Sequence, residues 1–502
     1  MTHREILTVL AGLMTGMFLV ALNQTIVSTA LPTIAGDLGG LDLIAWIVTV
    51  YLLAATTATP LFGRLSDLYG RQRVFQSAIV IFLVGSVLSG AALDMPMLIA
   101  ARAIQGIGGG GVMALTMTII GDLLSPRERG RYQGYLGAVF GVASVTGPLL
   151  GGFIVDHLDW RWVFLVNVPI GIAALVITSR VLILPHHRVE RRLDLLGAGL
   201  LVTGVTALLL VTAWGGSEYP WGSPLIVGLG LGGGTLSLLF VLRQRTAPQP
   251  IIPLRLFGSR TFSLVTAAGF LVSAAMFGAI VFLPVFFQLV TGASATEAGL
   301  LLAPMMAGLV VTSMVSGRLV ARTGRYRAYP ITGTALMAMA LSLMSTMDVT
   351  TSRWEAGLFT AVMGIGLGMV TQNLILIAQN DVPASDLGAA TATVGFSRTL
   401  GGSIGTAVFG AVMAAGLFRR LGDVMIDGVA LDPTLVQGSP ATILALEPAV
   451  REPIVAAFTG ALSMAFLAGV PLALLACLLL VLVPYRELRE TRHLGPTPGG
   501  PD

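Results

Sequence analysis

Residues 63–73 read Gly-Arg-Leu-Ser-Asp-Leu-Tyr-Gly-Arg-Gln-Arg, and residues 317–327 read Gly-Arg-Leu-Val-Ala-Arg-Thr-Gly-Arg-Tyr-Arg. Six positions match in register: Gly63/Gly317, Arg64/Arg318, Leu65/Leu319, Gly70/Gly324, Arg71/Arg325 and Arg73/Arg327. The offset of 254 residues is about half the chain. Each copy is a short basic stretch between two long apolar runs. A repeat at that spacing predicts two related halves, with this stretch on the same side in each.

Composition places those halves in a membrane. Only 11% of residues are charged and 55% are hydrophobic, whereas soluble domains carry about 25% charged residues. Mean hydropathy is +0.87. The apolar runs are long enough to cross about 30 Å of hydrocarbon as helices. A transmembrane barrel needs alternating segments of about 10 residues, and none is visible. The first run continues through Asn23-Gln24-Thr25 without a cleavage site and is expected to stay. Cys477 is the single cysteine, so an intrachain disulfide is excluded.

Fourteen spans are expected, at roughly 7–33, 43–62, 74–92, 96–120, 132–155, 161–183, 195–213, 224–242, 261–290, 297–317, 328–347, 354–378, 389–415 and 454–484. An even count puts both termini on one side. All 29 basic residues are Arg. By this assignment 22 of them fall in the N-terminus, the even-to-odd loops and the C-terminal tail. Arg161, Arg353, Arg419, Arg420 and Arg451 fall opposite, and Arg102 and Arg398 fall inside spans. The positive-inside rule then makes both termini cytoplasmic. The same bias accounts for the net charge of +4 without a nucleic-acid partner. The expected organisation is a six-helix bundle over 1–185 and an insert of two spans over 186–260. A second six-helix bundle over 261–485 carries a long outer loop at 417–453, and a disordered tail covers 486–502.

The first copy of the repeat has specific chemistry. Gly63 and Gly70 permit close helix approach around a tight loop. Asp67 is a carboxylate among Arg64, Arg71 and Arg73, placed to pair with them or to face the positive N-terminus of a helix from the other half. This pattern resembles the signature loop of the major facilitator superfamily. The resemblance implies an all-α fold of two six-helix bundles, here with two extra helices. It also implies that Gly63, Asp67, Gly70, Arg71 and Arg73 clamp the cytoplasmic side shut. The second copy has Ala321 in place of Asp67, so the clamp is expected to be asymmetric.

Further motifs extend the resemblance over nearly the whole chain. Arg102, Gln105 and Gly106 resemble the span-4 motif tied to proton coupling. The plain alternative is an Arg reaching back to the outer surface from a span that Pro96 opens. Gly137, Gly141, Gly147, Pro148, Gly151 and Gly152 resemble the span-5 motif of exporters, implying a tightly packed, moving helix interface. Leu22-Asn23-Gln24-Thr25 through Pro32, the run Trp160–Gly171, and Leu283-Pro284 with Gln288 resemble the fourteen-span drug:proton antiporter branch (EmrB/QacA-like). One departure stands out. The branch carries Asp where this chain has Asn23, and an amide takes up no proton. Glu297 and Asp37, at outer span ends, are the other groups open to that role.

The resemblance implies a proton-coupled exporter of small amphipathic compounds in a bacterial inner membrane, active as a monomer. A dedicated exporter of one metabolite, antibiotic or lipid is the second reading, and a non-transporting sensor on the same fold is the third. Expected cavity residues are Asn23, Gln24, Thr25, Phe140, Gln288, Met305, Gln372, Asn373 and Arg398. No carboxylate lies well inside a span, so neutral or anionic amphiphiles are expected over dications. Arg398 has a bland alternative, pairing with backbone carbonyls or water. No metal, cofactor or enzyme chemistry is expected. There is no His/Cys cluster, no nucleophile elbow with partners, and no Lys for a phosphate loop.

Overall fold

Without water, a backbone satisfies its polar groups internally, and a helix does so within each segment. The apolar runs of this chain accordingly fold as long helices in the structure, a computed structural model. It describes residues 3–38, 43–124, 126–181, 194–216, 218–293, 295–383, 386–422, 425–426, 429–430, 443 and 446–488. The helices of the first half are α1 (His3–Leu38), α2 (Ile44–Tyr69), α3 (Arg71–Gly90), α4 (Met95–Leu123), α5 (Pro126–His157), α6 (Trp162–Leu165) and α7 (Asn167–Val181). Then come α8 (Leu195–Trp214) and α9 (Pro224–Thr246). The second half comprises α10 (Arg260–Thr291), α11 (Ala295–Leu300), α12 (Ala303–Thr323), α13 (Ala328–Met344), α14 (Arg353–Asp381), α15 (Leu387–Gly422) and α16 (Pro448–Val481). A small antiparallel pair, β1 (Met425–Ile426) with β2 (Val429–Ala430), lies between α15 and α16.

Among the described residues, 12 stretches are long and apolar enough to cross a bilayer, with α6–α7 and α11–α12 each counted as one. The expectation of fourteen is not met by that measure. The two helices left out are α5 and α13, of which α13 has only 17 residues. Both nevertheless pack in the bundles: α5 on α1 and α12, α13 on α14 and α16.

Start signals are locally encoded. Asp94 Oδ1 accepts the Met97 N–H at 2.7 Å and caps α4. Ser352 and Glu355 form a reciprocal capping box on α14. Within the first half, α4 packs on α2 and α3, and α1 packs on α5 and α7. Within the second, α10 packs on α15 and α16, and α14 on α12 and α13. The halves meet through α2 on α15 and α5 on α12, the related pairing that a repeat predicts. The two inserted helices pair with each other, and α8 rests against α2 and α15.

Both repeat copies end a helix at a glycine in the left-handed region, Gly70 at φ 93° and Gly324 at φ 68°. Two boundaries differ from expectation. Helix α15 continues to Gly422, past the expected end at 415, and most of the outer-loop residues 431–442 lie outside the described ones. Arg486, Glu487 and Leu488, expected in a disordered tail, are ordered against α14. Their polar groups find partners there, which an apolar/polar reading of the sequence does not reveal. Residues 182–193, with His186 and His187, and 489–502 also lie outside the described residues.

Candidate gate and buried cation sites

The first site is at the Arg-rich end. Arg71 donates to Asp67 Oδ1, to Ser66 Oγ at 2.6 Å and, through Nε, to Asp122 Oδ2 at 2.6 Å. Asp67 Oδ2 in turn accepts the backbone N–H of Ala389, in the first turn of α15, at 3.1 Å. A carboxylate there offsets both an unmade helix N–H bond and the positive helix end. Gly63 permits this approach, because a Cβ on it would overlap Ala392 Cβ and come within 2.9 Å of the Gly388 carbonyl. A second bond across the halves lies nearby: Gln379 Nε2 donates to the Met117 carbonyl at 3.2 Å and to Thr391 Oγ1 at 2.9 Å.

Arg73 is a correction. It is exposed on α3, unlike the buried or half-buried Arg64, Asp67 and Arg71. Two members, Asp122 and Arg255, were missed from sequence, whereas Arg64 was expected beside Asp67 and lies 4.0 Å from its carboxylate. Asp122 is the second carboxylate on Arg71. Arg64 is buried and donates to Gln249, in the segment that follows α9. Arg255 of the same segment donates to Asp386 Oδ1 at 2.9 Å, just before α15. The basic run Arg243–Arg260 was a visible signal for that tie, although its partners lie far along the chain.

The second site surrounds Arg102, which is 1% exposed. Its guanidinium donates to Asn23 Oδ1 at 2.7 Å, Gln105 Oε1 at 2.5 Å and the Ile47 carbonyl at 3.1 Å. It lies 4.2 Å from the centre of the Tyr51 ring, a cation–π contact. Gln105 Nε2 donates to Ser86 Oγ at 2.6 Å, and Asn167 Nδ2 donates to the same oxygen at 3.0 Å. Every partner is neutral. The network ties α1, α2, α3, α4 and α7 together, and Arg102 does not reach back to the surface. Tyr51, Ser86 and Asn167 were missed as members, since nothing local marks them.

The span-5 glycines divide between two neighbours. Gly147 and Gly151 face α1, where added Cβ atoms would overlap the Thr25 and Thr29 hydroxyls. Gly137 and Gly141 face α12, at Ser313 and Val310. Gly152 faces open space and is not at a helix contact, a correction that follows from its different helix face. Pro148 lies inside α5.

The expected cavity set is only partly gathered. Asn23 is buried on Arg102. Thr25 donates to the Ala143 carbonyl of α5 at 3.0 Å and so serves packing. Met305 is fully buried where α12 meets α14 at Gly364. Phe140 packs on the core of the first half. Gln24 is exposed, and Gln288 lies in the last turn of α10. Gln372 and Asn373 are buried on α14. Asn373 Nδ2 donates to the Met369 carbonyl at 2.7 Å, while its Oδ1 has no partner. Arg398 is partly exposed on α15, with its stem against Gly269 of α10 and Leu374 of α14. Asp37 accepts the Trp160 indole N–H at 2.8 Å and an Arg161 N–H at 3.4 Å at the opposite end of the first half. Among the described residues no cluster of His, Cys, Asp and Glu has the make-up of a metal site.

Two helical halves, joined through α2–α15 and α5–α12 and locked at one end by a charge cluster, define a multi-pass membrane transporter rather than an enzyme. The chain belongs to the Major Facilitator Superfamily, whose family model matches residues 13–406. It is 42% identical over 485 residues to an uncharacterised MFS-type transporter of Mycobacterium tuberculosis, covering 96% of this chain and 70% of that one. It is 41% identical over 422 residues to the multidrug transporter protein MdtP of Bacillus subtilis, covering 83% and 76%. The fold matches that of the proton:xylose symporter XylE with a TM-score of 0.63 at 15% identity, covering 96% of this chain and 97% of that one.

Proposed function

We propose that this transporter is a secondary active exporter of amphipathic compounds, driven by inward proton movement and working by alternating access between its halves. The likeness to MdtP supports the drug-efflux reading. We read the chain as a fourteen-span member of the drug:proton antiporter branch, counting α5 and α13 as spans. Both termini are cytoplasmic, the halves run over 1–185 and 261–485, the insert over 186–260, and the protein acts as a monomer in a bacterial inner membrane.

The observation that carries the mechanism is the bond from Asp67 to the N-terminus of α15. In the proposed orientation it holds the cytoplasmic side shut, and opening it exposes the inward side. Gly137 and Gly141 supply the sliding contact on α12. The Arg102 network holds the first half rigid while this happens. Asn23 stands within it and cannot carry a proton. Coupling is therefore assigned to carboxylates at the membrane edge, with Asp37 and Asp67 the foremost.

The test is efflux in proteoliposomes with a pH probe inside, comparing the natural chain with Asn23→Asp. Proton movement that tracks substrate in the natural chain supports edge coupling. Coupling that arises only in Asn23→Asp places the carrier at residue 23 and overturns it. Substrate movement in neither chain would overturn export itself.

A further inference from the structure

We propose that Arg398 anchors the anionic head group, a carboxylate or sulfonate, of an amphiphilic substrate held between α10, α14 and α15. The inference rests on the export reading and names the substrate class that the C-terminal half selects.

The two interior arginines are in opposite situations. Arg102 is saturated by three acceptors and an aromatic face. Arg398 has no acceptor among the described residues, and its Nε is shut off from solvent without a partner. The residue as a whole is partly exposed, and its two terminal nitrogens are not among the buried atoms that lack a partner. An unpaired cation within a span costs a few kcal/mol, and such residues mark ligand or ion paths.

Among the described residues, the helices around it offer no free anion to offset it. Helices α10, α12, α13 and α15 contain no Asp or Glu. On α14 the acids are Glu355 and Asp381, at its two ends. Asp381 is already engaged by Arg486 at 2.7 Å and by the Ser259 hydroxyl. The missing counter-charge must come from outside the chain.

The surroundings suit an amphiphile. Arg398 lies seven residues beyond Thr391, about 10 Å along α15. Thr391 accepts from Gln379 at the Arg-rich end, so Arg398 lies about 10 Å in from that bond. Its stem passes Gly269, which a Cβ would bring to 3.2 Å from Arg398 Cγ, and Leu374. Ser397 donates to the Thr266 carbonyl at 3.3 Å, and Thr266 Oγ1 is buried without a partner on the same face of α10. A planar guanidinium binds a carboxylate or sulfonate through paired N–H donors. The same group repels a cation, which sets the sign of the selectivity.

Two probes differing in one group test this: 1-anilinonaphthalene-8-sulfonate and its neutral parent, N-phenyl-1-naphthylamine. Titration calorimetry on the purified full-length chain, Arg398→Gln and Arg398→Lys measures binding apart from transport. We expect the natural chain to bind the sulfonate at least tenfold more tightly than the neutral probe. Arg398→Gln should bring the sulfonate to the affinity of the neutral probe, whose own binding stays within twofold. Arg398→Lys should keep part of the preference. Equal affinities in the natural chain, or equal weakening of both probes by Arg398→Gln, overturns the proposal. The same probes are then followed in proteoliposome efflux. If the binding pattern holds but neither probe moves, the site stands and the export reading fails.

Discussion

Asp67 and Ala389, 322 residues apart, are joined by a 3.1 Å bond from the Ala389 backbone N–H to the Asp67 carboxylate. One side chain of the first half thus caps a helix of the second, and Arg71 holds it in place while also bound to Asp122. In the proposed mechanism, gating is a helix-capping equilibrium.

Asp67→Asn should therefore shift the protein toward the state open at the Arg-rich end. Losing the negative charge at a helix N-terminus costs up to about 1 kcal/mol, or roughly a fivefold change in population. Met117→Cys in a Cys477→Ser background reports on the seal, because the Met117 carbonyl accepts from Gln379. Maleimide labelling there should rise several-fold with Asp67→Asn and stay level with Ala321→Ser. Equal increases would show that the missing acid of the second copy has no functional meaning.

Gly63→Ala should open the same seal by a different route. The new methyl overlaps Ala392 and crowds the Gly388 carbonyl, which is backbone and cannot rotate aside. Overpacking of this kind costs about 1–3 kcal/mol. Gly152→Ala, which meets open space, is the matched control and should leave labelling and thermal stability unchanged.

How much of this was readable beforehand follows from the range of each interaction. Helices and the two related halves followed from apolar runs and the repeat, since a span is a local property and a repeat copies its neighbours. The clamp was readable as far as Asp67 and Arg71, which sit four residues apart. Its other members, Asp122, Gln249 and Ala389, are set by tertiary contacts with no local mark. The cavity list is only partly gathered for a related reason. A polar residue inside a span faces either a cavity or another polar side chain, and periodicity does not distinguish Asn23 on Arg102 from a ligand contact. The ordered Arg486–Leu488 was hidden because a Pro- and Gly-rich tail follows it.

The buried Arg102 network predicts an unusual order of stabilities at residue 23. Asn23→Leu removes an acceptor from a buried cation and should cost about 1–3 kcal/mol. Asn23→Asp should do the opposite. The Asn23 Nδ2 group is buried without an acceptor, and a carboxylate has no such donor to leave unpaired. It also places a charge where the amide oxygen now lies, 2.7 Å from Arg102. Thermal unfolding in one detergent should rank Asn23→Asp at or above the natural chain and Asn23→Leu below it. An Asp variant that melts lower would mean the network is tuned to the neutral side chain.

The C-terminal strap supplies the remaining prediction. After α16 the chain turns across the Arg-rich end of the second half. Arg486 bonds Asp381 at 2.7 Å, and its backbone N–H donates to the Tyr326 hydroxyl at 3.0 Å. Asn380 donates to the Glu487 carbonyl at 3.2 Å, and the Tyr326 and Tyr485 rings stack at 5.7 Å. Burial pushes the pKa of Tyr326 up, so its hydroxyl stays protonated at neutral pH. Asp381 is 1% exposed at the side chain while Arg486 is 58% exposed, so solvent screening reduces the pair to about 1 kcal/mol. Arg486→Ala should lower the melting temperature more than Asp381→Asn does, because only the first leaves a buried carboxylate short of its cation. In the double variant the loss from Arg486→Ala should shrink, a positive coupling in the cycle. Additive losses would mean that the strap is held by its tyrosines and backbone bonds alone.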